Sequence, residues 1–217
     1  MRRSLVVGLA GVLLVSGCQR PKSGPEVPPS PKGPKYGPIP GPSPKPQPGR
    51  PPQGDPSWFP RASKLSNRWA TVVVHHSATN SGSARTFDRY HKDKGWDELG
   101  YHFVIGNGSE TPDGMIEVGS RWHKQKHGAH CKTADNFFNE RGIGICLVGD
   151  FTKTRPTARQ MAALERLSTF LCMTCRIPAD RVVTHGAVTH KTACPGKHLP
   201  IGNVRRAVAQ SVTARAY

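Results

Sequence analysis

The chain has 217 residues, with 31 Lys and Arg against 14 Asp and Glu, a formal charge of +17 and 21 prolines. That length allows one ordinary domain or two small ones, and the apolar runs are too short and too few for a protein that crosses a membrane repeatedly. So basic a chain favours polyanions, whether nucleic acid, anionic lipid or carboxylate-bearing cell wall, without choosing among them.

Residues 1–18 read as a targeting segment. Arg2 and Arg3 supply a positive start, and Leu5 to Val15 is an apolar stretch too short to span a bilayer comfortably. The segment closes on "LVSGC", which resembles the lipobox of bacterial lipoproteins, where the cysteine is lipidated and becomes the mature N-terminus. The resemblance implies a lipid on Cys18 and stable anchoring to a membrane of the bacterial envelope, because more than one acyl chain is attached where one alone would be marginal. Export also argues against nucleic acid as the partner. From Gln19 to Pro60 proline recurs every two or three residues, as in "GPKYGPIPGPSPKPQPGRPP", with almost nothing apolar to bury. This segment is expected to be a disordered, extended spacer, reaching up to roughly 130 Å as polyproline II.

Residues 61–217 are expected to form one monomeric domain with its core between about 69 and 210, large enough to bury a real interior. Trp69 to His75 reads as a buried strand, rich in β-branched residues. Ser83 opens a helix through about Lys92, with Phe87 and Tyr90 spaced for one face. "YHFVIG" (101–106) reads as the next strand, Met115 to Val118 as a short one, and "GIGICLVG" (142–149) as a central one. Thr157 and Gln160 form a capping box, Met161, Leu164, Leu167 and Leu171 continue that helix at helical spacing, and Pro178 forbids it from running on. "RVVTH" (181–185) is a further strand and Ile201 to Ala209 a closing helix. Alternating strands and helices predict an α/β fold, a central mixed sheet flanked by helices.

Strand ends are where such folds place ligands. His75 and His76 end one strand, His185 ends another, and Cys194 follows in "HKTACPG". Two histidines and a cysteine make a zinc shell with the fourth position open to water, but ten histidines offer many triples, and spacing does not choose among them. Strand geometry does say that at most one of His75 and His76 reaches a site, because neighbours point to opposite faces.

"VVVHHSAT", "GWDELGYHFVIGNG", "GAH", "NERGIGICLVGDF" and "VVTHGAVTHKTACPG" come in the order seen in the zinc-dependent N-acetylmuramoyl-L-alanine amidases of the type 2 family, which includes phage amidases and peptidoglycan recognition proteins. The resemblance runs from about Trp69 to Pro195. It implies Zn2+ held by His75, His185 and Cys194, with His76 turned into packing. It assigns Tyr101 as the catalytic tyrosine and Thr192, or Lys191 in its place, as the second donor to the oxyanion. The reaction implied is hydrolysis of the amide joining the muramic acid lactyl group to L-alanine. His130, in "GAH", is expected to line the cleft and contact muropeptide, and Arg85 and Arg89 to form a solvated helix face. The chain departs from some members in carrying Cys146 where they have a glutamate, so no carboxylate base is evident. The alternatives are a peptidoglycan-binding module without turnover and a structural zinc protein with a fourth ligand, such as His190. Among the remaining cysteines, Cys131, Cys146, Cys172 and Cys175, the bridge to test first is Cys131 with Cys172; export makes disulfides possible.

Overall fold

A computed structural model describes residues 54–62 and 64–214; Cys18 and the spacer up to residue 53 lie outside them. The strands are β1 (Thr71–His76), β2 (Phe103–Ile105), β3 (Ile116–Val118), β4 (Gly142–Leu147) and β5 (Val182–Thr184). They form one sheet in the order β3-β2-β4-β1-β5, parallel throughout except for β3, which runs antiparallel beside β2. This is the mixed sheet expected. β1 and β4 lie at its centre and every residue of both is buried, which explains their continuous apolar runs.

The period of two divides these strands between two faces. Val72, Val74, Phe103, Ile105, Ile143, Ile145 and Leu147 belong to the main core, packed under α4 (Ala158–Cys175) and α6 (Ile201–Thr213). Leu164, Leu167 and Leu171 of α4 and Val204 and Val208 of α6 complete it, each such burial contributing roughly 1.5–3 kcal/mol. Thr157 caps α4 reciprocally with Gln160, as the sequence predicts, and the Gln160 side chain also donates to the Val148 carbonyl at 2.8 Å, tying the helix start to the sheet.

The other face carries a smaller cluster of Phe87, Leu99, Val104, Cys146 and Val148 beneath α1 (Ala84–Asp93). Ser83 caps α1 by accepting the Thr86 N–H. The inward pair on α1 is Phe87 and His91, one turn apart, while Tyr90 is exposed, contrary to the expected pairing. Three short helices were not anticipated: α2 (Ser120–His123), α3 (Phe137–Glu140) and α5 (His185–Thr189). The folded body also begins earlier than residue 61. Trp58 is buried edge-on against Phe170, 5.5 Å between ring centres, and its carbonyl accepts the Trp122 indole N–H at 2.6 Å.

No helix among the described residues is long and apolar enough to cross a membrane. The expected Cys131–Cys172 bridge does not form: both are free thiols. Cys172 belongs to the core under α4, whereas Cys131 follows His130 on the opposite side of the sheet, so the strands stand between them.

Candidate metal centre

His75 occupies the C-terminal end of β1, in register with Cys146 of β4. Thr184 ends β5 and caps α5 by accepting the Ala187 N–H, so His185 is the first residue of a helix and not the last of a strand. After α5 the chain turns at His190, in a left-handed conformation, and returns Cys194 to the sheet, where the Gly186 N–H donates to the Cys194 carbonyl at 2.6 Å. A side chain on Gly186 would strike the Thr192 carbonyl, so only glycine permits this return so close to His185.

The fold brings the three residues together. One ligand atom from each of His75, His185 and Cys194 lies within 4.8 Å of the other two. His75 Nδ1 faces the Cys194 Sγ at 3.8 Å, and the His75 and His185 rings are 4.6 Å apart. Two neutral imidazoles and a thiol make a donor set suited to zinc. His190, the alternative fourth ligand, is exposed and outside the cluster. Burial, with His130 and His185 nearby, holds His75 well below the usual histidine range, and burial lowers His185 as well. Both therefore offer lone pairs at neutral pH. Burial pushes the Cys194 thiol up to about 11, so the metal-free site keeps its proton.

His76 lies outside the cluster. Its Nδ1 accepts the Phe151 N–H at 3.1 Å, with Asp150 at 3.8 Å, and its ring lies against Phe151. Its backbone N–H points at the Cys194 Sγ, 3.4 Å away.

Tyr101 precedes β2 and sets its ring 5.2 Å from that of His75. Burial, with the Cys146 and Cys194 thiols nearby, holds its hydroxyl well above the usual tyrosine range, so it stays protonated. Thr192 is exposed, and its Oγ1 accepts the Cys194 N–H at 3.1 Å, leaving the hydroxyl proton free to donate. Lys191 is exposed one residue earlier. Cys146 is fully buried and burial raises its thiol far above the ordinary value, so it does not replace a carboxylate base. Asp150 does not either: hydrogen bonds from Thr152 and Lys153 hold it at about 2. Arg85 and Arg89 are exposed on α1, as expected.

His130 is placed differently from the expectation. It is buried behind His75, its Nδ1 3.1 Å from His75 Nε2, and does not line an open cleft. Loop position suggested exposure; Gly144 of β4 and Gly128 make room for the ring instead.

A cluster of three candidate ligands at the C-terminal ends of parallel strands places the chain among the α/β proteins that build their sites at strand ends. Within that class, the family model described as N-acetylmuramoyl-L-alanine amidase matches residues 65–197, and the chain belongs to that family. Among its relatives, the N-acetylmuramoyl-L-alanine amidase of Sus scrofa is 33% identical over 104 residues, 43% of this chain but only 16% of that protein's length. The endolysin of Enterobacteria phage K11 is 34% identical over 130 residues, 56% of this chain and 77% of that one. Of solved structures, the endolysin amidase LysCS of Clostridium intestinale superposes with a TM-score of 0.56 at 29% identity, covering 68% of this chain and 90% of its own. A tyrosine-to-phenylalanine mutant of Drosophila PGRP-LB in complex with tracheal cytotoxin superposes with a TM-score of 0.50 at 26% identity, covering 65% of this chain and 83% of its own.

Proposed function

We propose that this protein is a zinc-dependent N-acetylmuramoyl-L-alanine amidase that cleaves the amide between the lactyl group of muramic acid and the L-alanine of peptidoglycan stems. The observation that carries the reading is the cluster of His75, His185 and Cys194, with the Tyr101 ring packed against His75. A module that only binds has no need of an open metal position beside a protonated tyrosine. Zinc held there would supply a Lewis acid for the amide carbonyl and water acidified to about pKa 7.

The chain's own residues do the rest. His75 and His185 stay neutral and Cys194 gives up its proton to become a ligand. Tyr101 donates its hydroxyl proton as a hydrogen bond to the oxygen that gains charge, and Thr192, or Lys191 beside it, donates from the solvent side. Donors fixed in place this way are worth roughly 3–4 kcal/mol each in other hydrolases. The test is to incubate the purified protein with peptidoglycan, with and without chelator. New L-alanine amino groups released only in the metal-loaded sample support the amidase. Binding without release would leave a peptidoglycan-binding module.

The proposed location is the outer side of a bacterial membrane, with a lipid on Cys18 and the proline-rich segment as spacer. Sequence pattern supports this part, and Cys18→Ala is expected to move the protein from the membrane to the soluble fraction. Unchanged fractionation would exclude the anchor.

A further inference from the structure

Behind His75 the site face of the sheet has a trough where side chains would normally stand. Gly144 of β4 leaves that space open: a methyl group on it would lie 2.5 Å from the His130 ring, and one on Gly128 would also strike the ring. The ring fills this space. Its backbone is fixed by Asn139, whose Oδ1 accepts the N–H groups of both His130 and Cys131 at 2.8 Å. His102, 5.7 Å away and edge-on, is itself held by the Gly144 N–H and the Lys126 carbonyl.

Both nitrogens of His130 are engaged. Nε2 is 3.2 Å from the Gly142 carbonyl oxygen and Nδ1 is 3.1 Å from His75 Nε2. A carbonyl only accepts, so the His130 proton sits on Nε2, Nδ1 is an acceptor, and the His75 proton must sit on its own Nε2. That leaves a lone pair on His75 Nδ1, the atom facing Cys194.

We propose that His130 is a positioning residue: the chain of hydrogen bonds from His75 through His130 to the Gly142 carbonyl fixes the ring plane and tautomer of His75, presenting Nδ1 as the ligand atom. The proposal rests on the reading of His75 as a zinc ligand. Ligand histidines generally pass their second N–H to an acceptor, and losing that partner costs about 10–100-fold in metal affinity. Here the acceptor is a second imidazole ending on a backbone carbonyl, which orients the ligand without burying an uncompensated charge.

Zinc affinity of the purified protein, measured by competition with a chromophoric chelator, tests this with His130→Ala, His130→Asn and His130→Gln. Asparagine carries its oxygen near the place of Nδ1 and can accept from His75; glutamine carries its amide near Nε2 and reaches only Gly142. Alanine and glutamine are expected to weaken zinc binding about 10–100-fold, with asparagine recovering most of the loss. In the zinc-free wild-type protein, two-bond 1H–15N spectra should report His75 as the Nε2–H tautomer. Equal affinity in all four proteins overturns the proposal and leaves the metal centre standing. An Nδ1–H tautomer for His75 also overturns it, and needs no variant to fold. A wild-type protein that binds no zinc overturns the metal centre and this role together.

Discussion

The two faces of the central sheet are made from the same strands and do opposite work. On one, Val72, Val74, Ile143, Ile145 and Leu147 close against two helices with no polar group among them. On the other, the alternate residues are Val73, His75, Gly142, Gly144 and Cys146, and the space above them holds imidazoles, a phenol and thiols. One face gains its stability from volume, the other its chemistry from volume withheld. A glycine in mid-strand, Gly144 of β4, weakens a sheet locally, and the packed face offsets that cost within the same strands.

Substitutions should divide along this line. The largest effect is expected on the chemical face: His75→Ala or Cys194→Ser should abolish zinc retention and amidase activity together, read by metal analysis and by amino-group release. On the packed face, Ile145→Ala should cost roughly 2–5 kcal/mol in denaturant unfolding, while the protein that remains folded keeps one zinc per chain. Loss of zinc from that folded fraction would break the separation. Tyr101→Phe should lower kcat by about 10²–10³ with zinc affinity unchanged; a matching fall in affinity would make Tyr101 a structural residue only. Because the Cys194 thiol is held at about 11, each zinc bound displaces a proton, so affinity should rise about tenfold per pH unit between about pH 7 and 10. A flat profile would mean the thiol is not a ligand. The smallest effect belongs to His76→Ala, which should retain full zinc and activity and lose about 1 kcal/mol of stability with the bond from Phe151, as thermal melts would show.

The elements legible in the sequence are those with long, regular patterns. β1, β4 and α4 announce themselves by an unbroken apolar run, a second one, and a capping box followed by leucines at helical spacing. The cluster of His75, His185 and Cys194 was legible through motifs alone, since His75 and Cys194 stand 119 positions apart and no periodicity links them. α5 escaped notice because five residues cannot establish a helical repeat, and so His185 looked like the end of a strand. His130 was misplaced for a related reason. A histidine in a polar loop reads as exposed, and the sign that it is not lies elsewhere, in Gly144 of "GIGIC", whose missing side chain faces the same way as Cys146 and leaves room for the ring. Tyr90 was assigned to the inward face of α1, but Phe87 and His91, one full turn apart, hold it instead.

The return of the chain from α5 to Cys194 has a consequence for how a bound metal would affect the protein's stability. Two of the three clustered residues, His185 and Cys194, belong to the last quarter of the chain, and the third, His75, to a strand laid down more than a hundred positions earlier. A metal ion joining them would act as a removable crosslink, closing a long loop without a disulfide. At free zinc about a hundredfold above its dissociation constant, that linkage would add about 2.7 kcal/mol to stability. Metal scarcity would then loosen the C-terminal segment as well as silence the site, opening the same protein to proteolysis where zinc runs short.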